Sequence, residues 1–179
     1  MSMDLEKYDR HGFDRGKPAW VEAIWIIIHG FLFSTWLPGS NWRVEILRIF
    51  GAKIGMGVII KPYIKIKFPW RLTVGDYSWI GEGVWIDNLD QVVIGSNVCM
   101  SQGVYICTGN HDYKDEAFRL MTESITIEDE CWIGAFVKIA PGVIVKKKSM
   151  IALGSVVTSH TEENSIYAGN PAMRIRQRN

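Results

Sequence analysis

Hydrophobic residues are spaced in three different ways along this chain, and each spacing predicts a different element. Residues 19–37, AWVEAIWIIIHGFLFSTWL, form an apolar run interrupted by Glu22, His29 and Gly30 and closed by Pro38-Gly39. Its length approaches the ~20 residues of a membrane span. The run predicts first a helix packed on the rest of the protein. Its Trp residues also suit a helix lying on a membrane surface, and a true span fits least. Residues 41–50, NWRVEILRIF, predict a second helix, with Asn41 as its N-cap, Val44, Leu47, Ile46 and Phe50 at helical spacing, and Gly51 as its stop.

From Ile54 onward the period becomes six. The aliphatic frame runs Ile54, Ile60, Ile66, jumps eight to Val74, continues Ile80, Ile86, jumps eight to Ile94, and continues Met100, Ile106. After a long interruption it resumes at Ile127, Ile133, Ile139, Val145, Ile151 and Val157. Gly recurs one or three residues after the frame position, and Val58, Val84, Val98, Val104, Val137, Val143 and Ser155 stand four after it. Such a period fits neither a helix nor a hairpin meander. It predicts a coil with flat sides, one hexapeptide per side, in which the frame residue and the smaller residue four later point inward. Three sides close a triangular turn, and stacked turns pair their strands in parallel.

The frame breaks after Ile66, Ile86 and Ile106, each time after three hexapeptides. All insertions are therefore expected to leave from one corner of the prism. Two are short, within Lys67–Thr73 and Asp87–Val93, and the third is a long loop, 107–126. Solenoids carry function where insertions cluster. The expected organisation is a polar arm at 1–18, a helical region at 19–53, a mainly β solenoid of about five triangular coils at 54–162, and a tail at 163–179 that packs on it.

Composition narrows the function classes. Hydrophobic residues make up 47% of the 179 and charged residues 22%, which excludes a disordered chain. The net charge of +1 gives no support to a nucleic-acid partner. Three cysteines, Cys99, Cys107 and Cys131, are few and none has CxxC spacing, so neither a disulfide framework nor a zinc ribbon is expected, and a reducing compartment fits best. The polar N-terminal sequence does not read as a signal peptide.

The long loop carries His111 followed by Asp112, at the mouth of the insertion and above a corner holding Asp87, Asn88 and Asp90. Imidazole is the side chain best suited to accept a proton near neutral pH. A lone loop histidine is also commonly a plain surface residue, and spacing alone leaves both readings open. His11, His29 and His160 lie elsewhere, and no cluster resembles a metal site. Cys131 falls at an inward position and reads as core.

The fifteen hexapeptides, the NHD segment, the run CWIGAFVKIAPGVIVKKKSMIALGSVVTS and the ending YAGNPAMRIR resemble the hexapeptide-repeat acyltransferases. Within them the chain is most similar to colanic acid and other exopolysaccharide acetyltransferases, and then to the maltose, galactoside and nodulation acetyltransferases. The resemblance spans roughly residues 20–176. It implies a left-handed parallel β-helix, a homotrimer, and acetyl-CoA bound as cosubstrate in a groove between subunits. It also implies direct transfer of acetyl to a sugar hydroxyl, with His111 as general base and the backbone N–H of Ala135 for the oxyanion. Trp132, Gly134, Ala152, Gly154, Ser155 and Thr158 match the segments along the cofactor arm. Arg174 and Arg176 are favoured for the CoA phosphates, over Lys146, Lys147, Lys148 and Arg178. Where the galactoside enzymes hold the acceptor with an asparagine, this chain has Glu82-Gly83, so Asp87, Asn88, Asp90 and Asp112 become acceptor candidates. Cytoplasmic placement follows from the need for acetyl-CoA, with residues 19–37 available for peripheral contact at the inner face of a membrane. Alternatives are a non-catalytic trimeric scaffold, a sugar N-acyltransferase, and a carbonic-anhydrase-like metal enzyme, which would need more converging histidines than His111 and His160.

Overall fold

A computed structural model describes residues 4–9 and 12–179. His11 lies outside the described residues. The chain from Lys53 to Val157 winds into a three-sided parallel β-helix. Its first face stacks Lys53–Ile54, Leu72–Val74, Val92–Ile94, Ile125–Ile127 and Ile144–Val145. The second stacks Ile59–Ile60, Trp79–Ile80, Cys99–Met100, Trp132–Ile133 and Met150–Ile151. The third stacks Lys65–Ile66, Trp85–Asp87, Tyr105–Cys107, Lys138–Ile139 and Val156–Val157.

The register keeps like positions in line. Ile60 pairs with Ile80, Ile80 with Met100, Met100 with Ile133, and Ile133 with Ile151. All fifteen frame residues are buried, as are the residues four after each frame position on the first two faces. Each fully buried aliphatic side chain contributes about 1.5–3 kcal/mol, so the column through the prism axis is the main source of stability.

Glycine serves this stack in two ways. Gly75 follows its frame residue, and a Cβ there would lie 2.6 Å from the backbone of Gly95 and Ser96 in the next turn. Gly83 occupies a corner at φ +67, in the left-handed region, with nothing nearer than 4.0 Å. Equivalent corners are held at positive φ by Tyr63, Tyr77, Asn97, Glu130, Phe136 and Lys148. The corner conformation is thus set by the coil, and non-glycine residues accept it at a cost of about 1–2 kcal/mol each.

Two helices plug the N-terminal end. α1, Ala19–Ile28, continues as a π-helical turn over His29–Phe33, and α2 spans Asn41–Ile49. Trp25 and Phe33 are fully buried with Val44 and Leu47 against the first coil. Trp25 donates its indole N–H to the Ile66 carbonyl at 2.9 Å, and the Ile66 N–H donates to His29 Nε2 at 3.2 Å. Ser40 rather than Asn41 precedes α2, and it makes no side-chain cap. Its hydroxyl instead accepts from the Ile60 N–H at 2.8 Å, tying the helix to the coil. Gly51 closes α2 as expected, with Gly51 N–H on Arg48 O and Ala52 N–H on Leu47 O, the paired bonds of a Schellman stop.

The far end gains an incomplete sixth turn. Thr161 N–H bonds Ile144 O across the first face, and Ser165–Gly169 joins the second face beside Met150–Ile151. The chain reverses at Asn170-Pro171 and Ala172–Gln177 returns antiparallel.

Candidate active site

The three insertions and the N-terminal arm share one edge, the corner between the third and first faces. The first insertion contains a short 3-10 turn, Pro69–Arg71. Asn88, in the second, is fully buried. It accepts from Phe68 N–H at 3.0 Å and donates to Phe68 O at 2.6 Å. Both amide atoms are spent on bracing neighbouring turns, so Asn88 leaves the acceptor-binding set. The arm adds Phe13 stacked on Phe68, Trp70 Nε1 donating to Arg15 O at 2.8 Å, and Lys7 paired with Glu116 at 2.7 Å.

The long insertion is an antiparallel hairpin rather than an open loop. Gly109–His111 pairs with Leu120–Thr122, so His111 stands on a strand opposite Leu120. Its ring stacks on Phe118, with centroids 4.3 Å apart and planes within 4°, and Tyr8 approaches at 5.8 Å. His111 Nδ1 lies 2.8 Å from the Phe118 carbonyl oxygen. A carbonyl only accepts, so in the neutral ring Nδ1 carries the proton and Nε2 keeps its lone pair. The imidazole is half-buried and held in orientation, with the basic lone pair on Nε2. Phe118 and Tyr8 were not signalled by the sequence. The hairpin register that brings seven-residue neighbours together is invisible to the six-residue frame.

The acidic candidates separate. Asp112 accepts from Lys114 N–H at 2.9 Å, shaping the hairpin tip. Asp87 pairs with Lys67 at 3.3 Å and accepts from Tyr105 at 3.4 Å. It faces a cavity of about 370 Å³ shared with Trp25, His29 and Lys65. Asp90 binds Gln91 N–H and the Thr122 hydroxyl, beside another cavity of about 300 Å³ that includes Phe13 and Arg71. These carboxylates do not converge on one space.

The residues matched to a cofactor arm lie on the second face and the corner after it, except Thr158, which follows the third-face strand Val156–Val157. Trp132 is exposed on the outer surface of the second face and donates its indole N–H to Ser101 Oγ at 3.1 Å. Ala135 is buried in the corner between the second and third faces, where its carbonyl accepts from Gly154 N–H at 2.8 Å. Gly154 follows one turn up at φ +71, with open space around its α-carbon, and Thr158 is exposed. Ser155 is buried; its hydroxyl donates to Ala152 O at 2.7 Å and accepts from Gly169 N–H at 3.2 Å, so it fastens the tail. Gly134 is glycine because a Cβ would lie 2.7 Å from Ile151 O and Leu153 N. That contact is with the next coil, and it accounts for the residue without a ligand.

The basic candidates also sort. Lys146 pairs with Glu128 at 3.0 Å, and Lys147 and Lys148 with Glu130 at 3.4 and 3.8 Å. Arg174 is held by Glu162 at 3.2 Å and Ser165 at 3.1 Å. Arg176 pairs across from Ile166 and, among the described residues, its side chain bonds only the Gln177 carbonyl. It sits three strands above Trp132, roughly 14 Å at the usual strand spacing.

An open space of about 840 Å³ lies on the second face below Trp132. Lys61, Tyr63, Trp79, Glu82, Ser101 and Phe136 line it, together with Cys99. Ser101 therefore links this groove to Trp132. Trp79, 53% exposed, offers an indole face, and Glu82 a carboxylate. Burial pushes the Cys99 thiol up, and the Cys131 thiol up to about 12, so neither is a ready thiolate.

Comparison with known proteins fixes the lineage. Residues 124–159 match the family model described as hexapeptide repeat of succinyl-transferase. The chain is 38% identical over 166 residues to WcaF of Escherichia coli (strain K12), a protein named as a colanic acid biosynthesis acetyltransferase, with 92% of this chain and 91% of WcaF covered. Among solved structures, a hexapeptide-repeat containing acetyltransferase of Vibrio cholerae O1 biovar eltor, complexed with acetyl coenzyme A, superposes with a TM-score of 0.83. The identity is 22%, and 98% of this chain and 96% of that one are covered. Galactoside acetyltransferase in complex with coenzyme A gives a TM-score of 0.81 at 23% identity, covering 99% and 92%. The shared architecture is the left-handed parallel β-helix. With its fifteen-repeat prism and a relative matched over nearly its whole length, this chain belongs to the hexapeptide-repeat acetyltransferases and is an acyltransferase.

Proposed function

We propose that the protein transfers acetyl from acetyl-CoA to a hydroxyl of a saccharide, in an assembly of three copies, with His111 as general base. The observation that carries this reading is a ring pinned at Nδ1 by the Phe118 carbonyl, which leaves the lone pair on Nε2. In the proposed step Nε2 takes the acceptor hydroxyl proton as that oxygen attacks the thioester carbonyl. The Ala135 N–H donates to the resulting oxyanion, whose collapse expels the CoA thiolate. His111 then returns the proton to the sulfur, and ester and thiol leave with all protons accounted for.

His111 and Ala135 belong to different corners of one prism. The hairpin leaves after the third face, whereas Ala135 turns between the second and third. One chain therefore does not hold base and oxyanion donor together, and a neighbouring copy would supply one to the other. This supports a site between subunits. The column Trp132, Met150, Ile166, Arg176 supports a cofactor lying along the second face with its phosphates toward Arg176. The groove with Trp79, Glu82 and Ser101 suits a sugar: the indole covers a ring face and the polar groups bond hydroxyls. Glu82, standing where galactoside enzymes use asparagine, then takes the acceptor role from Asp87 and Asp90.

The direct test is incubation of the purified protein with acetyl-CoA and a panel of saccharides, following thiol release and sugar mass. An acetyl ester on a hydroxyl is expected. Thiol release no faster than hydrolysis with every sugar would support a scaffold, and acetylation confined to amino groups would support an N-acyltransferase.

A further inference from the structure

Seven large apolar side chains of residues 20–49 stand in solvent at the base of the prism: Trp20, Ile24, Ile27, Phe31, Trp36 and Ile49, and Ile26 on another side of the helix. Trp20, Ile24, Ile27 and Phe31 follow one another at steps of four, three and four, which places them along one side of the 19–33 helical segment. Their exposures are 66%, 44%, 60% and 74%. Ile49 borders Trp20 and Ile24 in a shallow cavity that also holds Lys17, and Trp36 is exposed beyond the helix end. The opposite side of the same helix buries Trp25 and Phe33 in the plug. Core packing accounts for one side only, and a contiguous exposed apolar stripe marks an interaction surface.

Charge says what covers it. Residues 15–71 carry nine Lys and Arg against two Glu, although the whole chain nets +1. Both Glu are already neutralised, Glu22 by Arg15 and Glu45 by Arg48. Lys17, Lys53, Lys61 and Lys65 are exposed and hold no ion pair among the described residues. Three of the four lie on the first coil, the turn next to the helical plug. An apolar stripe beside unpaired cations is the arrangement that binds an anionic bilayer, where apolar insertion and headgroup attraction add. The helical segment is about 22 Å long at 1.5 Å per residue, and no helix among the described residues is long and apolar enough to cross a membrane.

We infer that the base of the prism docks on an anionic phospholipid surface, with Trp20, Ile24, Ile27 and Phe31 lying in the headgroup layer. The apolar stripe is separate from the groove and the hairpin; Lys61 also lines the groove, so the substitutions that test the surface leave it in place. The test is vesicle flotation of the full chain. Wild type is expected to rise with vesicles containing phosphatidylglycerol, to do so far less with phosphatidylcholine alone, and to be released by salt. Ile27→Glu with Phe31→Glu is expected to cut the floated fraction at least about tenfold while leaving the melting temperature in place, because both residues face solvent. Lys53→Gln with Lys65→Gln should weaken binding to the anionic vesicles alone. Failure of wild type to float, or equal flotation of the Ile27/Phe31 variant, would overturn the inference. So would a lipid-free assembly whose mass falls on the same substitution, because the stripe would then be a contact between copies.

Discussion

His111 and Phe118 are joined twice, by a 2.8 Å bond from ring nitrogen to carbonyl and by parallel stacking of their rings. The carbonyl selects the tautomer and the stacked ring fixes the plane, so the imidazole is oriented without a substrate. His111→Ala is expected to lower acetyl transfer by ~10²–10⁴-fold, with CoA binding by calorimetry unchanged. Phe118→Ala keeps the carbonyl and removes the ring. It should lower kcat several-fold while the KM for acetyl-CoA holds.

Arg176 and Arg174 lie on the same terminal strand, yet only Arg174 is committed to a carboxylate, Glu162. Arg176→Ala is therefore expected to raise the KM for acetyl-CoA about tenfold, the worth of one charge-assisted bond. Arg174→Ala should act mainly on stability, by loosening the tail. Steady-state kinetics beside thermal melts separates the two.

The two kinds of glycine predict unequal costs. In Gly75→Ala the new methyl meets backbone at 2.6 Å, so adjacent turns must part. A loss of about 1–3 kcal/mol or more is expected. Gly83→Ala has room and bears only the left-handed backbone, about 1 kcal/mol. Urea unfolding of both variants should preserve this order.

His29 gives a pH dependence with a defined sign. Burial holds its imidazole below the usual 6.5, helped by the nearby Lys65 charge and opposed by a backbone hydrogen bond. The folded state thus prefers neutral His29, whose Nε2 accepts from Ile66 N–H. That preference is fully expressed above about pH 6.5 and is lost as pH falls from there through the depressed folded value. The urea midpoint should drop on acidification from about pH 7.5 to 5.5, and His29→Gln should flatten the drop. An equal slope in the variant would assign the effect to other groups.

The N-terminal cap shows how local rules yield to packing. Asn41 was the expected cap of α2, but Ser40 stands there, and its hydroxyl serves the Ile60 backbone instead of the helix. Arg43 is likewise fully buried inside the plug, donating to the carbonyls of Leu37 and Gly39. A helical-spacing argument has no means of placing a guanidinium there.

What the sequence alone determined is the prism: its period, its three faces, its buried column, and the common edge of its insertions. Each hexapeptide repeats the same local problem of burying one aliphatic side chain and turning one corner, and a repeated local solution is written in spacing. What only the tertiary structure decided lies between segments with no common frame. The hairpin register sets Phe118 on His111, the coil contacts consume Asn88 and Ser155, and the groove forms beneath Trp132. It also turned the 19–33 helix so that Trp25 went inward and Phe31 outward. A run with large apolar residues on every side, and Glu22 and His29 among them, leaves that choice to whichever surface the first coil offers it.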